Sequence, residues 1–127
     1  MPQFTSPFIT KSFAVGAATE PYRLVKMTGE AEVEHAASSS DTIIGATTEV
    51  SVDEAGGRQD VHMLGIVEVE YGASVDRGDF VTSDADGKAV TANPSGGDNE
   101  TVAGIALAGG VDGDIGSVLL NQSQIQG

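Results

Sequence analysis

The chain has no cysteine and no tryptophan, only two histidines, and six Lys and Arg against 19 Asp and Glu. Without cysteine there can be no disulfide, no thiolate nucleophile and no cysteine-ligated zinc. A formal charge of −13 argues against any surface that must neutralise phosphates or anionic headgroups, so neither nucleic acid nor a membrane is an expected partner. No run approaches the roughly 18 apolar residues of a membrane-spanning helix. Thr5, Ser6, Pro7, Thr10, Lys11 and Ser12 also interrupt any unbroken apolar stretch of a secretory signal near the start. Few Lys and Arg on a background rich in Ala, Gly, Thr and Val fit salt adaptation, which predicts a protein that gains stability as salt screens its own repulsion.

A helical period is missing too. From about residue 22 the chain alternates short β-type runs with turn residues, the pattern of a small all-β barrel or sandwich. Candidate strands fall at 22–28, 31–35, 42–50, 59–64, 66–71, 79–83, 88–91, 102–108 and 117–121. The clearest alternation is Ile66-Val67-Glu68-Val69-Glu70-Tyr71, which places Val67, Val69 and Tyr71 on a buried face and both glutamates on a wet one. Ser83-Asp84-Ala85-Asp86-Gly87-Lys88 reads as a hairpin connection with Asp-Gly at its turn. Ile43-Ile44-Gly45-Ala46-Thr47 and Val102-Ala103-Gly104-Ile105-Ala106 are each an apolar run broken by one glycine, the mark of a bulge or a close backbone approach. With 127 residues, one core is expected: an extended N-terminal arm over residues 1–20 and a single β domain over 21–127.

The residue inventory points away from catalysis. His62 alternates with Val61 and Met63 and should face solvent or a partner, while His35 closes a candidate strand; neither sits in a metal or triad spacing. Asp84 and Asp86 lack the further ligands of a calcium loop, since Thr82 and Asn93 occupy the positions where an acidic first ligand and a bidentate Glu belong. Glu68 and Glu70 imitate a glycosidase pair, yet there is no Trp platform, and the solvated-face reading prevails. Ser38-Ser39-Ser40 lies in a polar linker without a nucleophile context. No catalytic residue, metal or cofactor is therefore expected.

What composition alone does not explain is the aromatic arm. Three of the four phenylalanines, Phe4, Phe8 and Phe13, lie in the first 13 residues with Pro2 and Pro7 among them. Covering each such side chain is worth about 1.5–3 kcal/mol, so the arm should dock, either on its own barrel or on a partner. On the partner reading the anchors are Phe4, Phe8, Ile9 and Phe13.

Several segments in series resemble the capsid cement or decoration proteins of tailed viruses. They are Lys11-Ser12-Phe13, Pro21-Tyr22-Arg23-Leu24-Val25-Lys26, Ile43-Ile44-Gly45, Gly65-Ile66-Val67-Glu68-Val69-Glu70-Tyr71-Gly72 and Val75-Asp76-Arg77-Gly78-Asp79. The series continues through Thr82-Ser83-Asp84-Ala85-Asp86-Gly87-Lys88-Ala89-Val90, Gly104-Ile105-Ala106-Leu107-Ala108 and Gly113-Asp114-Ile115-Gly116-Ser117-Val118-Leu119-Leu120. The resemblance implies a non-enzymatic virion protein on the outer capsid surface, present in the host cytoplasm during assembly. Its implied partners are the major capsid protein and copies of itself in a homotrimer. The alternative from the residues is a small carbohydrate-binding or adhesin-like β-sandwich, against which the missing Trp counts.

Overall fold

The computed structural model describes residues 6–94 and 99–126. Nine strands and no helix occur among them: β1 (Ser6–Val15), β2 (Leu24–Gly29), β3 (Glu32–His35), β4 (Ile43–Thr47), β5 (Arg58–Glu70), β6 (Phe80–Ser83), β7 (Ala89–Thr91), β8 (Asn99–Ala106) and β9 (Ile115–Gln126). The all-β reading holds, and the barrel alternative is the one realised. In the order β1-β3-β2-β4-β5, the last strand pairs back onto the first and closes a five-stranded barrel. β1 is parallel to β3 and antiparallel to β5, with Phe13 opposite Gln59 and Ser12 opposite Asp60. Beyond the barrel the sheet continues from β5 through β9, β8 and β6 to β7.

β5 is the shared member. Two candidate strands, 59–64 and 66–71, form one strand of 13 residues because Gly65 takes φ +103 inside a continuous run. That conformation suits glycine and turns the strand without ending it. Before Gly65 the strand pairs β4 through His62 and Val61; from Gly65 onward it pairs β9 through Glu70 opposite Ile115.

Two cores result. Inside the barrel Phe13, Val15, Val25, Val33 and Val61 pack together, with Ile44, Val52 and Met63 at the margin. The larger core lies between the barrel's outer wall (Leu24, Ile43, Ala46) and the second sheet (Val67, Val69, Tyr71, Val81, Val118, Leu120 and others). Strand alternation divides these sets: Leu24 and Val25 are neighbours in sequence and belong to different cores. One polar side chain sits with the barrel core. Gln59 is buried, but its Nε2 donates to Thr19 Oγ1 (3.0 Å) and Val50 O (2.8 Å), so its polarity is satisfied.

Both glycine-broken runs fall where close approach was expected. A Cβ at Gly45 would strike the His62 carbonyl, and one at Gly104 the Leu119 carbonyl. Each lies beside a register shift, in β2–β4 and β8–β9 respectively. The β6–β7 hairpin turns as read, with Gly87 at φ +77 and the Asp84 carboxylate accepting from the Asp86 and Lys88 amides at 2.8 and 3.0 Å. Its tip docks on the barrel: Leu24 N donates to Gly87 O at 2.7 Å, and Arg23 Nη1 to Asp86 O at 3.1 Å.

Candidate interaction surface

The segment expected as an arm is extended, and from Ser6 to Val15 it is laddered into the barrel wall. Pro7 is tolerated because register shifts on both sides of Ile9 interrupt the ladder there. Phe4 lies outside the described residues, as does the side chain of Phe8, whose backbone is part of β1. Phe13 is only 4% exposed, held inside the barrel, and Lys11 places its ammonium 5.7 Å from the ring centroid. Of the four residues named for a partner, Phe13 is thus occupied by the chain's own core, and Ile9, 46% exposed, is on the surface.

Ile9 stands opposite Leu64 in the β1–β5 ladder, and with Ile43, Ile44, Met63 and Gln122 the two line a shallow, predominantly apolar groove. Its floor has a physical origin. The β4–β5 ladder has only two paired positions, Ala46 with His62 and Thr47 with Val61. The Ile44 and Met63 carbonyls next along lack a ladder partner, and Gln122 Nε2 donates to both at 2.8 and 3.1 Å. With the main chain satisfied, apolar side chains are what the groove presents.

The polar residues singled out in the sequence are engaged in the fold. His62 faces outward as alternation required, and its Nδ1 shares a 2.8 Å hydrogen bond with Thr10 Oγ1. Burial lowers its pKa against the opposing pull of Glu49 and Asp60. His35 Nε2 accepts from the Glu20 amide at 2.9 Å, and burial followed by the Arg23 charge lowers its pKa. Glu70 accepts ion pairs from Arg23 (3.4 Å) and Lys88 (3.2 Å), tying β5 to the hairpin; at partial exposure such pairs add little individually. Ser39 O accepts from Thr101 N at 2.7 Å, so the serine linker is pinned to β8. Among the described residues no group of three His, Cys, Asp or Glu is placed to hold a metal ion.

Taken together these features define a small all-β module: a closed barrel extended by an open sheet, with an apolar groove on its surface. Its fold is similar to the crystal structure of the head fiber gp8.5 N base in bacteriophage phi29. The TM-score is 0.68 with 22% sequence identity, covering 94% of this chain and 98% of that one. No protein-family model and no curated protein matches the chain.

Proposed function

We propose that the chain is a structural virion protein that decorates the outer surface of an icosahedral capsid, binds major capsid protein subunits and stabilises the shell. The observation that carries this reading is the likeness to a phage head protein over nearly the whole of both chains. The series of segments resembling the cement family points the same way. Ile9 and its groove offer exposed apolar surface for such a contact. Assembly as a homotrimer is carried by the family resemblance and is tested by the mass of the purified protein in solution.

Particles lacking this protein test the reading. They should lose their genomes at lower temperature than complete particles, and adding the purified chain should restore the difference. Particles whose heat resistance is indifferent to the chain would refute a stabilising role.

A further inference from the structure

The second sheet carries an apolar row that no segment of the sequence announces. Phe80 stands opposite Ile105, Ile105 opposite Leu119, and Leu119 opposite Ile66, so four large apolar side chains from β6, β8, β9 and β5 line up in one row. Their chain neighbours Val67, Val81, Ala106, Val118 and Leu120 are all in the large core, which turns the row to the outer face. Residues directly opposite in antiparallel strands lie within contact distance, and three strand spacings make the row about 14 Å across. Phe80 is 47% and Leu119 38% exposed. A contiguous apolar row on an otherwise acidic surface marks an interaction site more than four scattered hydrophobics would.

We propose that this row is where the chain docks on a protein partner whose contact surface has an apolar centre and a Lys- or Arg-bearing rim; on the function proposed above, that partner is the capsid shell. Charge decides between this occupant and a second copy. Asp79 precedes Phe80 and Asp76 lies just before it, with Arg77 the one basic residue in that connection. Each chain carries −13, and Arg23, Lys88 and Lys26 are already paired with Glu70 and Asp41. Two copies placed row to row would bring like charge together with little cationic compensation, whereas a basic rim would be attracted.

The absence of cysteine makes the test direct, because an introduced thiol is unique. Leu119→Cys and Phe80→Cys, with Val50→Cys as a control on the barrel side, are labelled with a maleimide, free and after reloading onto parent shells stripped of the protein. The row thiols should label readily in the free chain and become protected by about tenfold or more on shells, as a buried contact centre requires, while the control changes far less. Acetylating the lysines of the stripped shells and blocking their arginines with phenylglyoxal should abolish reloading.

If the reloaded chain leaves both row thiols reactive, this face is not the contact, although the decoration reading stands. If the wild-type chain does not reload at all, the decoration reading falls and takes the occupant with it. Row thiols protected in the free chain and released by deleting residues 1–5 would make the chain's own N-terminus the occupant, and protection that grows with protein concentration would make it a second copy; either overturns the proposal. Undiminished reloading on shells with both lysines and arginines blocked would overturn the basic rim.

Discussion

The barrel and the open sheet share a strand and solve the same problem differently. In the barrel every strand has two neighbours, so none of the five is an edge strand, and the interior is small enough for one phenylalanine and a few valines to fill. The second sheet instead ends on β7, three residues long, and covers only one face, using the barrel's own wall as the other side of its core. Closure removes surface, and openness leaves it. This is why β1, with its buried Phe13, serves the structure, while the outer face of β6, β8, β9 and β5 displays a partly exposed apolar row.

The largest expected effects come from breaking each core separately. Phe13→Ala should cost about 3–5 kcal/mol in the barrel and Leu120→Ala about 2–5 kcal/mol in the second core, from lost burial plus the cavity left behind. Because β5 runs through both, urea unfolding followed by circular dichroism should remain a single transition in each variant. Two separated transitions would show that the regions fold independently.

Next in size, Gly45→Ala and Gly104→Ala should each destabilise by about 1–3 kcal/mol, since both force a Cβ against a neighbouring strand's carbonyl. Similar losses would confirm that the two glycines do equivalent work in the two regions. A neutral substitution at either would show that its strand can shift.

Tyr71→Phe probes the second core alone. Tyr71 is fully buried and its hydroxyl donates to Ala108 O at 2.6 Å, so thermal melts should show a loss of about 1 kcal/mol. Burial and Asp114 raise the phenol pKa above 10.0, so the unfolded chain ionises more readily and this side chain's contribution is lost as pH rises beyond that value.

The smallest effect is a pH dependence from His35. Its folded pKa lies below 6.5, through burial first and Arg23 second, against Glu20, Asp86 and Glu34. The neutral ring is the folded form, as the Glu20 amide donating to Nε2 requires. Its contribution is therefore complete above pH 6.5 and is lost as pH falls through the lower folded value. The melting midpoint should drop between pH 7 and 5, and His35→Gln, which can still accept from the amide, should flatten part of that slope. His62, also lowered by burial, acts in the same direction. An unchanged slope in His35→Gln would sink the assignment.

Much of this fold was legible because alternation and turn residues are local signals. Val67, Val69 and Tyr71 face the core as read, the Asp-Gly hairpin turns where expected, and the two glycine-broken runs mark close approaches. β1 escaped because its alternation survives only near Phe13 and Val15; Pro7 and two register shifts erase it earlier. Two candidate strands merged because a glycine in the left-handed region looks in sequence like a turn. The surfaces were the least legible part. Ile9 could be named, but its groove needs β1, β4, β5 and β9 together, and the outer row needs one residue each from β5, β6, β8 and β9 in register. Such surfaces exist only once the long-range pairing is set.

Whether the chain decorates the shell is decided by a cryo-EM map of the parent particle. Density for this barrel and sheet is expected on the outside of the shell, repeated at symmetry-related positions and resting on major capsid protein. A barrel found at a single vertex or on the tail, or no density for it on the shell, would rule out decoration.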